Sequence, residues 1–267
     1  GGIRVCSRKT VLNRNVFLTT PIFPKGGAMS VIEYSVHENI AVITMKAGEN
    51  RFNPSFLEDF LKVLDRVEKK TKAKTLVVTS AHEKIFSNGI DLEWLVPVLQ
   101  ANDIKTAKAF FYQMNTLFKR VLTYPMLTIA AINGHAFAGG AILCCAFDFR
   151  FMRSDRGFFC FPEVDLGIPF LPGMNAMLKK AIPMYKLEEM EYTGSRLTAY
   201  DCQEHHIVTK ACRLNVLMDD VMEFAKTLNK NRSIVKEMKA RLNKEIVRIL
   251  VEEDVSYIES GKFNINT

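Results

Sequence analysis

The chain has 267 residues, 48% of them apolar and 24% charged, the balance of an ordinary globular protein long enough for one large domain or two small ones. No stretch reaches the roughly 18 uninterrupted apolar residues of a membrane helix, which argues against a membrane role. The formal charge of +7 invites a nucleic-acid role, but Arg4, Arg8, Lys9, Arg14 and Lys25 fall in 1–28 with no acidic residue among them, and removing these five leaves +2. The charge therefore describes a tail and not a nucleic-acid surface. That tail runs through Lys25-Gly26-Gly27-Ala28 to Met29-Ser30. It reads as upstream or non-native sequence, with an Arg-rich, acid-free organelle presequence as the sharper alternative.

In chain order, Ile40–Met45 has the continuous apolar character of a buried strand. Asn53-Pro54 supplies a helix start, with Asn as N-cap and Pro in the first turn. Phe56, Leu57, Phe60, Leu61, Leu64 and Val67 follow at helical spacing, and Lys69-Lys70 place positive charge where the helix dipole favours it. Thr75–Thr79 is a second strand, rich in β-branched residues. A polar loop and Ser87-Asn88-Gly89 come next, then a helix over much of 103–122. Trp94, Leu95 and Val98 fall on a further helical stretch, where they line a tunnel or pack in the core.

Leu127–Ile132 is the next strand, broken by Asn133-Gly134. Gly139-Gly140 opens an apolar helix to about Phe147, and Phe149–Met152 reads as a strand. Strands alternating with helices imply an α/β fold. From about residue 198 the chain turns mostly helical, with amphipathic stretches at Val216–Leu228 and Ser233–Ile258. No internal repeat and no Pro/Gly-rich linker divides the chain.

The six cysteines, Cys6, Cys144, Cys145, Cys160, Cys202 and Cys212, form no Cys-x-x-Cys pair and no zinc-like set with histidine, so no metal site is expected. Cys144 and Cys145, inside an apolar segment, read as core filler in a reducing compartment and not as disulfide partners. His205-His206 lacks spaced partner ligands.

Two turns carry candidate chemistry: Lys84 to Leu92, containing Ser87-Asn88-Gly89-Ile90-Asp91, and Asn133 to Gly140. Each follows a strand and precedes a helical pattern, an arrangement that leaves backbone N–H groups free to meet an anion. Read without context, each is as well explained as a plain strand-to-helix turn. There is no Gly-x-Gly-x-x-Gly after the first strand, no phosphate-binding loop ending in Gly-Lys-Ser/Thr and no Gly-x-Ser-x-Gly elbow. Nucleotide-dependent dehydrogenases and serine hydrolases lose weight accordingly.

Taken together, four segments resemble the crotonase superfamily in order and spacing: Phe86-Ser-Asn-Gly-Ile-Asp-Leu92, Asn133-Gly-His-Ala-Phe-Ala-Gly-Gly140, Asp148-Phe149-Arg150, and Pro162-Glu-Val-Asp-Leu-Gly-Ile168. The resemblance covers roughly residues 30–260. It implies a spiral of ββα units over 29–212, a helical region over 213–267 through which copies assemble as trimers or hexamers, and a non-core extension over 1–28. It also implies an acyl-CoA thioester as substrate, with CoA part of the substrate and no separate cofactor.

By the same resemblance, the N–H groups of Ile90 and Gly139 hold the oxygen of a thioester enolate. Backbone donors fixed in place stabilise such charge without reorganising. Ser87, Asn88, Gly89, Asp91, Gly140 and Lys84 are the expected substrate-binding neighbours; Lys46 and Arg51 stand near positions where relatives hold the CoA phosphates. Hydratases of the family use two glutamates. One aligns with Glu163 and the other with Ile142, so this chain keeps a single carboxylate. One carboxylate suffices to carry a proton from C2 to C4, which resembles the delta3-delta2-enoyl-CoA isomerases, plant peroxisomal ones especially. Another crotonase activity such as hydration is the alternative, and a non-catalytic acyl-CoA-binding scaffold is a third. Asp165 reads as a loop or capping group, and His135 falls at a variable position. Ala138 and Asn88 depart from the usual glycine and small residue. The expected location is cytoplasmic, or mitochondrial or peroxisomal in a eukaryote.

Overall fold

A computed structural model describes residues 31–261, so the extension over 1–28 lies outside the described residues. The chain begins with β1 (Ile32–His37), β2 (Ile40–Met45), α1 (Pro54–Lys70), β3 (Thr75–Ser80), β4 (Ile85–Ser87), α2 (Leu92–Gln100) and α3 (Ile104–Leu122). It continues through β5 (Leu127–Ile132), β6 (His135–Phe137), α4 (Gly139–Ala146), β7 (Phe149–Arg153), β8 (Phe159–Cys160), α5 (Glu163–Leu166), α6 (Pro172–Ala181) and α7 (Met184–Thr193). It ends with β9 (Arg196–Leu197), α8 (Ala199–Glu204), β10 (Lys210–Cys212), α9 (Leu214–Thr227), α10 (Arg232–Leu242), α11 (Lys244–Arg248), a π-helical turn (Ile249–Glu253) and α12 (Asp254–Glu259).

These strands build two sheets, one in the order β1-β2-β3-β5-β7-β10 and one in the order β4-β6-β8-β9. Pairing is parallel except at β1–β2 and β8–β9. The chain visits them alternately: β3 then β4, β5 then β6, β7 then β8, with a helix before the next turn. This is a ββα spiral.

The period of two in the strands explains why the large sheet is covered on both faces. Ala41, Ile43, Met45, Leu76, Val78, Ala130 and Ile132 face the main core. Their neighbours Ile40, Val42, Val77, Ile129 and Ala131 face the other way, onto Leu217, Val221 and Ala225 of α9. The amphipathic 216–228 stretch thus closes the sheet's second face. In α1 the cap forms as read, Asn53 Oδ1 accepting from Phe56 N at 3.0 Å. No helix among the described residues is long and apolar enough to cross a membrane.

The 233–258 stretch, expected as one helix, is broken at Asn243 and again by the π turn. Its inward residues Leu250, Asp254 and Ile258 are fully or almost fully buried. Asp254 anchors the last part of this stretch: Oδ1 accepts from Gly173 N at 2.8 Å and Oδ2 from Asn115 Nδ2 at 2.8 Å, tying it to the start of α6 and to α3. Removing that carboxylate strands Gly173 N and leaves Asn115 Nδ2 with Leu250 O as its remaining acceptor, at 3.2 Å. Asp254→Ala is expected to cost about 2–3 kcal/mol in urea denaturation; a loss under about 0.5 kcal/mol would show that the clamp carries no weight.

Candidate active site

The small sheet positions the site. β4 runs out into Asn88-Gly89-Ile90, β6 into Ala138-Gly139, and β8 into Phe161-Pro162-Glu163. Because β4, β6 and β8 are parallel neighbours, their carboxyl ends lie side by side, the usual location of ligand crevices in parallel sheets. All three segments open on one cavity, lined among others by Asn88, Ile90, Gly139, Ile142 and Glu163. Its far wall is apolar: Leu95 of α2, Phe111 and Met114 of α3, and Leu171 and Met174 at α6.

The two glycine turns touch backbone to backbone. A methyl group at Gly89, whose φ is +72°, would stand 2.4 Å from Gly139 N, so only glycine fits. Gly140 is equally constrained, since a Cβ there would lie 2.4 Å from Ser87 O. Neither candidate donor meets a backbone acceptor among the described residues. Phe52 N donates to Gly89 O at 2.7 Å and Phe52 O accepts from Asp91 N at 2.9 Å. This parallel bridge leaves the Ile90 N–H on the opposite side. Gly139 is the first residue of α4, whose leading N–H groups have no intrahelical partner and carry the positive end of the helix dipole.

Glu163 is 7% exposed and its Oε2 has no hydrogen-bond partner. Burial pushes its carboxyl up to about 8; a hydrogen bond from its own N–H pulls the other way, and the charge of Glu191 adds a smaller upward push. A carboxyl held near neutrality beside free N–H groups in an apolar cavity suits a proton carrier. Ile142 is 2% exposed and faces the same cavity.

The other residues singled out in the sequence divide by position. Asn88 lines the cavity, its Nδ2 donating to Glu49 Oε2 at 3.0 Å. Ser87, Gly89 and Gly140 stand behind it: Ser87 Oγ donates to Asn50 O at 2.8 Å and accepts from Gly89 N at 3.2 Å. Asp91 lies in a neighbouring groove, accepting from Asn53 Nδ2 at 3.2 Å. Lys84 is not among the lining residues and forms no ion pair among the described residues, while Lys46 pairs with Glu33, and Arg51 with Glu49 and Glu93. Of the α2 trio, Leu95 lines the cavity, whereas Trp94 packs on Phe110 with ring centroids 4.9 Å apart. Asp165 is exposed. His135 Nδ1 accepts from Phe158 N, and burial lowers its pKa, Arg156 and Arg196 adding to the effect. His205 Nδ1 is hydrogen-bonded to Tyr185 Oη at 3.0 Å.

Comparison with known proteins agrees with this architecture. The fold is the crotonase fold: the crystal structure of an enoyl-CoA hydratase from Mycobacterium marinum superposes with a TM-score of 0.77 at 21% identity, over 88% of this chain and all of that one. The chain belongs to the enoyl-CoA hydratase/isomerase family, whose sequence profile matches residues 35–264. It is 39% identical over 140 residues to an Arabidopsis thaliana protein named enoyl-CoA delta isomerase 2, peroxisomal, covering 51% of this chain and 57% of that protein. It is 32% identical over 188 residues to the carnitinyl-CoA dehydratase of Escherichia coli K12, covering 70% of each. The chain thus spans little more than half the length of the plant relative it matches.

Ala138, which departs from the glycine that the family resemblance implies, holds φ +51° and ψ −130°, a conformation a Cβ disfavours by about 1–3 kcal/mol. Its N–H donates to Cys160 O at 3.0 Å and its carbonyl accepts from Ile142 N at 3.0 Å, which locks it there. Ala138→Gly should therefore gain about 1 kcal/mol after the entropy cost of glycine. Thermal unfolding that shows a lower midpoint would mean that no strain is stored at this position.

Proposed function

We propose that this protein moves the double bond of a 3-enoyl-CoA to the 2,3 position. The observation that carries the reading is one buried carboxylate, Glu163, in a cavity it shares with the apolar Ile142, the position where the family resemblance implies a second carboxylate in hydratases. The Glu163 carboxylate takes a proton from C2, and the electron pair spreads over C2 to C4 and the thioester oxygen. The N–H groups of Ile90 and Gly139 hold that oxygen as its charge grows. Return of the proton to C4 leaves the new double bond between C2 and C3 and restores the carboxylate. No metal or redox group enters this scheme, and CoA is part of the substrate. The likeness to a plant enoyl-CoA delta isomerase supports the reading.

The dehydratase relative favours a second reading, water addition or removal at the same site. Water chemistry needs one group to activate or expel water while another handles the carbon-bound proton, and Ile142 cannot serve. A scaffold that merely binds acyl-CoA has no use for an unpartnered carboxylate held near neutrality.

Purified protein offered 3-enoyl-CoA and 2-enoyl-CoA should isomerise the first faster than it hydrates the second; the reverse order would replace this reading by the hydratase one. Glu163→Gln should lower isomerisation at least about 100-fold with acyl-CoA affinity little changed. Retention of near-full activity would dismiss Glu163 as the base.

Self-association through the C-terminal helices belongs to the same proposal. Ile234, Met238 and Leu242, one stripe of α10 at i, i+4 and i+8, are 59%, 65% and 82% exposed. Light scattering at micromolar concentration should return a trimer or hexamer, and a stable monomer would exclude it.

A further inference from the structure

Two helices that do not follow one another in the chain make most of the cavity's far wall: Phe111 and Met114 stand on α3, Leu171 and Met174 at the start of α6. All four are buried and none carries a polar group, so this end of the cavity suits an aliphatic chain. Both helices pack on α4 and on the C-terminal π turn.

Beside each wall stands one member of a polar link. Asn115 follows Met114, and Gly173 precedes Met174. Asp254, with no exposed surface, joins the two: Oδ1 accepts from Gly173 N at 2.8 Å and Oδ2 from Asn115 Nδ2 at 2.8 Å. Asn115 Nδ2 donates as well to Leu250 O of the π turn at 3.2 Å. There is no slack at Gly173, where a Cβ would stand 2.5 Å from Leu250 Cδ2 and 2.6 Å from Asp254 Oδ2. The start of α6 therefore rests directly on the C-terminal segment. A buried carboxylate is costly, but two donors arriving from two helices need two acceptor oxygens. Asparagine has one, and would turn a donor towards the other partner.

We propose that Asp254 is a positioning residue for substrate selection: it ties the α3 wall of the cavity to the α6 wall, and that tie limits the length of acyl chain the cavity admits. The proposal rests on the cavity holding the acyl chain of an enoyl-CoA. Asp254 is not among the lining residues; it acts through Met114 and Met174. Its hydrogen bonds pull α3 and α6 onto one anchor. With the anchor cut, the start of α6 is free to part from α3, and the cavity takes in more of a long chain.

The test is calorimetric titration of short-chain and long-chain saturated acyl-CoA, which reads the cavity without turnover. Wild type is compared with Asp254→Asn, Asp254→Ala, Asn115→Ala and, as a control for stability alone, Val221→Ala, which opens a void in the core on the other face of the large sheet. Each methylene taken from water is worth about fourfold in affinity. Asp254→Ala should therefore shift the ratio of the two Kd values about tenfold or more towards the long chain. Asp254→Asn and Asn115→Ala, which cut the link on the α3 side only, should shift it in the same direction and keep the protein folded should Asp254→Ala fail. Asp254→Ala combined with Asn115→Ala should shift it no further than Asp254→Ala alone, because both act on one link. Val221→Ala should lower the urea midpoint and leave the ratio alone. If the Asp254 and Asn115 variants keep the wild-type ratio, or Val221→Ala shifts it as much, Asp254 serves stability only and the proposal is overturned while the reading of the cavity stands. If wild type binds neither acyl-CoA, the cavity is no acyl site and both fall.

Discussion

The site depends on the contact between two backbones at Gly89 and Gly139. A parallel sheet brings the ends of β4 and β6 to strand spacing, but two N–H groups can address one oxygen only if the turns that follow come closer than side chains allow. Glycine at both positions removes the obstacle. The same contact is enforced from behind, where Ser87 packs on Gly140 and is held by Asn50 O. Asn50 in turn donates to Ser80 Oγ at 2.8 Å and to Phe86 O at 2.9 Å. A buried polar network thus sets the distance between two main chains.

Electrostatics run along the same axis. The leading end of α4 faces the cavity, and its trailing end is met by cations: Arg150 Nη1 donates to Phe147 O at 2.9 Å and Lys180 Nζ donates to the same carbonyl at 2.9 Å. Each charge complements the carbonyl end of the helix dipole. Lys180 bears a cost for this, its amine pushed down to about 8 first by burial and then by Arg150. At Glu163 burial acts in the opposite sense. Ionising it in the folded protein costs more than in the unfolded chain, so this group makes the fold less stable as pH rises from about 4.5 to about 8. An unpaired buried acid of this kind is a net loss of stability at neutral pH.

What the sequence disclosed follows from range. The glycine turns and the Asn53 cap are set by residues close along the chain and are readable there, whereas the Glu163–Ile142 contrast is legible only through the family resemblance. The short strands β4, β6, β8 and β9 have two or three residues, too few for any periodicity to show. β1 escaped notice because most of its residues are only partly buried, with Tyr34 37% and Val36 42% exposed. The cavity's far wall is drawn from α2, α3 and α6, whose apolar residues look like any core. Asp254 is hidden inside an amphipathic stretch that promises an unbroken helix.

The alternation of strands between two sheets has a consequence for how the protein comes into being. Each successive ββα turn adds one strand to the large sheet and one to the small, so the three cavity-bearing loops arrive on three different turns of the spiral. Every pairing among them is non-local, and such pairings close late because loop entropy must be met first. No contiguous fragment holds all of Ile90, Gly139 and Glu163 without the strands that separate them. During synthesis from the N-terminus, the cavity therefore stays incomplete until β8 has joined β6 and α6 has followed to close its far wall.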